Sequence, residues 1–121
     1  MIDAVVDIMR KAGGKPCPPV VIGVGIGGTA DRAAVLSKRA LLRKVGSHHT
    51  DPRYAAVEQK ILDRVQTLDI GPGGLGGVPT ALGVLLEHDA THIAGLPVAV
   101  SINCWADRKM HLILDAEGRE I

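Results

Sequence analysis

Two cysteines and one histidine are the residues of this chain best suited to chemistry. Cys17 lies between Pro16 and Pro18, and Cys104 stands directly before Trp105-Ala106-Asp107. Both read as loop positions at strand ends, where neighbouring backbone N–H groups favour thiolate formation or metal ligation. Two thiolates alone complete neither a zinc site nor an iron–sulfur site. Buried inert thiols, a disulfide and metal ligation therefore stay open, with the disulfide disfavoured in a chain that looks cytosolic. His92, in Thr91-His92-Ile93-Ala94, has a side chain that can polarise or position a substrate near neutral pH. Taken alone, such a histidine is more often a structural one.

A third feature is backbone chemistry. Gly23-Val24-Gly25-Ile26-Gly27-Gly28 fits G-x-G-x-x-G between a strand and a helix, the setting of a dinucleotide turn. The unit lacks its acidic partner: about twenty residues on stand Lys44 to His48, and Asp51 reads as a helix cap. Gly-Lys-Ser/Thr is absent, which excludes a P-loop. What survives is an anion-friendly turn with free N–H groups at Gly27, Gly28 and Thr29. The competing expectation is tight helix–strand packing with no ligand.

These groups need elements to hold them. Ile2, Val5, Val6 and Met9 recur at helical spacing over Ile2 to Ala12, and Gly13 and Gly14 stop that helix. Three prolines make residues 16–19 a rigid loop. The β-branched run from Val20 to Val24 predicts a buried strand. Ala30 to Val45 predicts a helix with its basic residues on the solvated side, ended by Gly46. Asp51 caps a further helix with Pro52 at its first position, along which Tyr54, Val57, Ile61, Val65 and Leu68 recur. Ile70 to Gly77 is a glycine-rich loop. Strands are predicted at Thr80 to Glu87, Leu96 to Ile102 and Met110 to Leu114, with a turn over Asp115 to Gly118. Helices crowd the first half and strands the second, so the expected class is α+β with a mixed sheet.

The 121 residues suit a single domain. Apolar residues are 46% of the chain, with no Phe, one Trp and one Tyr, so Val, Ile, Leu and Ala must fill the core. Fourteen Lys and Arg balance thirteen Asp and Glu, which with the scarce aromatics argues against nucleic-acid binding. No leader pattern and no apolar run of bilayer length is present, so a cytoplasmic chain without membrane contact is expected. His48 and His49 read as a surface loop, His88 and Asp89 as a turn, and His111 as an exposed position on the last strand. Asp107 and Arg108 are expected to pair and hold the Cys104 loop. Trp105 shields the site or fills the core.

Five short motifs follow one another: Cys17-Pro18-Pro19, Gly27-Gly28-Thr29, Gly74-Leu75-Gly76-Gly77, Thr91-His92-Ile93-Ala94 and Cys104-x-Ala106-Asp107-Arg108. Together they resemble the class I, iron–sulfur-dependent fumarate hydratases and the related L-tartrate dehydratases. The likeness is to the C-terminal half of the alpha subunit and runs over nearly the whole chain. It implies a [4Fe–4S] cluster held by three cysteines, of which Cys17 and Cys104 are two. The third lies in an N-terminal portion absent from this sequence. The resemblance further implies that His92 acts at the active site, and that N–H groups at Gly27 and Gly28 bond cluster sulfides or substrate. The chain would then be a piece of a longer catalytic domain, inactive alone. Its implied partners are a small hydroxydicarboxylate, the missing alpha portion, a beta subunit or region, and further copies in an oligomer. The fumarate type is expected first and the tartrate type close behind. The alternative is a non-catalytic module that binds a nucleotide or other anion at the Gly23–Gly28 turn.

Overall fold

Val5, Val6 and Met9 disappear from solvent on one face of α1 (Ile2–Ala12). Gly13 ends the helix at φ 54° with its N–H on the Met9 carbonyl, a conformation glycine adopts without steric cost. The structure is a computed structural model and describes residues 1–107 and 109–121. The expected pair of Asp107 with Arg108 therefore lies outside the described residues.

Three strands follow: β1 (Val20–Ile26), β2 (Ala81–His88) and β3 (Val98–Asn103). They form one sheet in the order β2-β1-β3. β1 runs parallel to β2 and antiparallel to β3, with Val21 opposite Asn103 and Ile26 opposite Val98. The sheet is mixed and the class is α+β, as the sequence implies.

Every residue of β1 is buried because both faces are covered. Side chains alternate along a strand, so Val20, Ile22, Val24 and Ile26 pack with α1 and with α3 (Pro52–Gln66) through Ile61 and Val65. The opposite face carries Gly23 and Gly25 and lies against α2 (Ala30–Ala40). Asp51 caps α3 by accepting from the Arg53 N–H at 2.8 Å, and Pro52 follows it.

Two expected elements come out differently. α2 ends at Ala40, five residues before Val45, because the chain tightens into turns: the N–H of Leu42 meets the Arg39 carbonyl and that of Arg43 the Ala40 carbonyl. Arg43 is thereby turned toward buried Glu58 and the Leu86 carbonyl. The strand expected at Met110 to Leu114 does not form. Apart from the bridge of Leu114 to Glu120, no described strand pairs with it. Met110 is 88% exposed and Ile113 58%, and a strand without a partner leaves its backbone groups unsatisfied.

Candidate functional site

Antiparallel pairing of β1 with β3 decides where the cysteines go. Cys17 precedes the start of β1 and Cys104 follows the end of β3, so both lie at the same end of the sheet. Cys17 is exposed, with left-handed backbone at φ 56°, and Pro18 beside it is buried. Non-glycine residues rarely adopt that conformation; here it turns the thiol outward while its neighbour anchors the loop. Cys104 is half-buried, and its Sγ accepts the N–H of Ala106 at 3.4 Å. The turn is closed by the Asp107 N–H on the Cys104 carbonyl and by the Asn103 amide on the Asp107 carboxylate.

The glycine-rich loop 70–77 joins this end. Gly73 donates to the Pro18 carbonyl at 2.8 Å. A Cβ on Gly74 would stand 2.7 Å from Gly14 Cα, so two backbones touch where side chains would hold them apart. Gln66 fixes the returning chain: its side chain accepts from the N–H groups of Thr80 and Ala81 and donates to the Ala81 carbonyl. Thr80 in turn accepts from Gly71.

His92 stands at the other end, in the loop between β2 and β3. Its Nδ1 accepts the Ala94 N–H at 3.0 Å. A ring nitrogen that accepts is unprotonated, so the neutral imidazole carries its proton on Nε2 and offers a donor outward. An open depression of about 630 Å³ is lined by Gly28, Thr29, Asp31, Arg32, Ala90, Thr91 and His92. Arg32 meets Asp89 at 2.7 Å at its rim. The Asp89 carboxyl lies below its usual range because Arg32 bonds it and, next, because of the charge of Arg32. Asp31 is lowered as well, first by the hydroxyl of Thr29 and then by the Arg32 N–H.

The chain matches the fumarate hydratase (Fumerase) family over residues 1–113. It belongs to that family. It is 52% identical over 105 residues to a Methanocaldococcus jannaschii protein named "Putative L(+)-tartrate dehydratase subunit alpha", covering 87% of this chain and 37% of that protein. It is 44% identical over 101 residues to the L(+)-tartrate dehydratase subunit alpha of Escherichia coli K12, covering 84% of this chain and 33% of the relative. The chain thus spans about a third of the length of the curated relatives it matches.

Within this member of the fumarate hydratase family, the residues singled out from sequence divide between two ends of one sheet. Cys17, Cys104 and loop 70–77 share one end; Gly27, Gly28 and His92 share the other. The seven residues of β1 put about 20 Å between them at the rise of an extended strand.

The N–H groups of Gly27 and Gly28 are not free, contrary to expectation. Gly27 donates to the Pro97 carbonyl and Gly28 to the Ala90 carbonyl, each at 2.9 Å. Gly23 and Gly25 are spent on packing: a Cβ on either would overlap the backbone of α2, at the carbonyls of Ser37 and Ala33. The turn therefore brings helix and strand together, and the anion-binding alternative loses two of its three donors.

Other polar positions also find partners. His49 is half-buried rather than a plain surface residue: its N–H donates to Glu58, its Nδ1 accepts from Asp51, and its ring lies 5.1 Å from Tyr54. Tyr54 stacks on His88 with centroids 3.9 Å apart. Glu58 was not singled out from sequence, yet it is only 3% exposed and also accepts from Arg43 and Leu86. Four residues after Tyr54 and three before Ile61, it lies on the face that helical spacing marks as core, and an acid on that apolar stripe is the signal in the sequence. Among the described residues no group of three or more His, Cys, Asp and Glu could hold a metal ion, and no helix is long and apolar enough to cross a membrane.

Proposed function

We propose that this chain is the C-terminal portion of a hydro-lyase alpha subunit, supplying two thiolates to a [4Fe–4S] cluster and one histidine to a hydroxydicarboxylate site. The observation that carries the reading is that Cys17 and Cys104 lie at the same end of the sheet as loop 70–77. The donor set fits such a cluster in part. One thiol is exposed and the other is half-buried with an N–H donor on its sulfur. Both lie in loops, and the remaining ligand comes from outside the chain. A cubane held by three thiolates leaves one iron open as a Lewis acid for a substrate hydroxyl.

The chain's own residues then divide the work. Cys17 and Cys104 hold the cluster, and the closed turn at Cys104 keeps its sulfur in place. The backbone of residues 70–77 forms a wall that a cofactor can approach closely at its glycines. His92 offers its Nε2–H to a carboxylate or to the departing oxygen, with Nδ1 fixed by Ala94. Gly27 and Gly28 shape the turn on which the His92 loop rests. The 20 Å length of the strand supports one further step: His92 of one copy serves a centre other than the one its own thiols complete. That arrangement fits an oligomer that also contains the N-terminal alpha portion and a beta subunit. Elimination of water from the substrate yields an alkene dicarboxylate, with hydroxide leaving from one carbon and a proton from its neighbour. The names of the relatives support tartrate as substrate at least as well as malate, and the family description supports fumarate.

Co-expression of this chain with an N-terminal alpha portion and a beta subunit, followed by anaerobic loading with iron and sulfide, tests the reading. The expected result is broad visible absorbance and reversible dehydration of tartrate or malate, both lost in Cys17→Ser and Cys104→Ser. Full activity in either variant overturns it.

A further inference from the structure

His92 stands on an exposed loop, yet the loop is tied down at every turn. Asp89 donates its N–H to Ile26, Gly28 donates to Ala90, and Gly27 donates to Pro97. The Thr91 hydroxyl lies 3.2 Å from both the Gly28 and the Gly95 carbonyls. The Gly95 N–H closes a turn on the His92 carbonyl.

One side-chain contact crosses from α2 to this loop: Arg32 Nε donates to Asp89 Oδ2 at 2.7 Å. The two adjacent glycines make room for its two partners. A Cβ on Gly28 would stand 2.6 Å from Arg32 Cγ, and one on Gly27 would overlap the Asp89 carbonyl oxygen. Both φ angles are positive, 67° and 89°, so the backbone path also demands glycine.

We propose that the Arg32–Asp89 pair is a positioning element of His92, adding a side-chain lock between the first turn of α2 and the 89–97 loop to the backbone bonds that already tie it, and so helping to fix where the imidazole stands. The inference rests on the reading of His92 as a site residue. Two glycines that resemble ligand-binding positions are thereby assigned to the approach of an arginine and an aspartate. An exposed ion pair adds little to global stability, so its removal reads out locally, at the ring and at the Ala94 N–H that holds it.

The test is nitrogen NMR of the His92 ring and amide exchange of the 121-residue chain, which needs neither cluster nor substrate. In the parent chain, His92 is expected as one neutral tautomer with the proton on Nε2. In Arg32→Gln and in Asp89→Asn, Ala94 exchange should rise about tenfold and the ring nitrogens should move toward a tautomeric average. Exchanging the charges, Arg32→Asp with Asp89→Arg, should restore both signals. Unchanged signals in the two single variants overturn the proposal. Should a single variant lose its fold, the charge-exchanged chain decides, and failure to restore the ring signals overturns it. Loss of the hydro-lyase reading would show as absent cluster and activity with the ring signals still responding.

Discussion

No Cβ fits on Gly25, because the carbonyl oxygen of Ala33 already stands where it would go. The same atom would also lie 2.5 Å from the Ser37 nitrogen. Helix α2 thus sits on bare backbone of the central strand. Gly25→Ala should destabilise the chain by about 3 kcal/mol or more, the upper range of overpacking, since backbone cannot turn aside as a side chain does. Gly95→Ala, where nothing stands within 4 Å, should stay within about 0.5 kcal/mol. Chemical denaturation of both variants checks the contrast.

Glu58 is buried and accepts from Arg43 Nη1 at 2.7 Å, Leu86 N at 2.8 Å and His49 N at 3.0 Å. Three elements therefore meet on one carboxylate. Glu58→Leu leaves Arg43 without its buried counter-charge and should cost about 3 kcal/mol. Loss of the His49 tether should appear as a shift of the Tyr54 ring resonances.

The Asp51 carboxyl is held down to about 2 from an ordinary 3.8, first by the Arg53 side chain and then by the Arg53 N–H. A depressed carboxyl stabilises the fold above its unfolded value and loses that contribution as pH falls through its folded value. Helical signal should therefore decline as pH drops from about 4 toward 2. Asp51→Asn, which keeps a capping oxygen without the charge, should flatten part of that decline in an acid titration followed by circular dichroism.

On the proposed reading, His92→Leu in the co-expressed assembly removes the Nε2–H donor from its place beside Arg32 and Thr91. The expected loss in kcat is about a hundredfold, the size of one positioned acid–base or donor group. Steady-state kinetics with tartrate and malate measures it, and visible absorbance should be unchanged because the thiols lie at the far end of the sheet.

Local signals carried most of the fold. The spacing of Val5, Val6 and Met9, the cap at Asp51 and the β-branched run from Val20 all fix their elements through short-range physics. Met110 to Leu114 has the apolar character of a strand but not a strand's neighbour, and sequence pattern does not report pairing. Arg43 lay within the helical pattern, yet its contact with Glu58 fifteen residues on drew the chain out of the helix. The glycine turn was legible as close approach. What approached it was not, since Ala33 and Asp89 come from different directions and only the fold brings both there. The sequence order of Cys17, His92 and Cys104 likewise hides that strand reversal groups the first with the last and sets the middle one apart.

The pairing of Val21 with Asn103 has a consequence for how this family can change. Cys17 and Cys104 are separated by the whole of α2, α3 and β2, but their separation in space is set by a single ladder. Lengthening any connection between residues 27 and 97 would leave that ladder, and hence the thiol pair, untouched. A slip of β3 by two residues would preserve every buried face yet carry Cys104 about 7 Å along β1. On the proposed reading, strand register in this protein thus also sets coordination geometry.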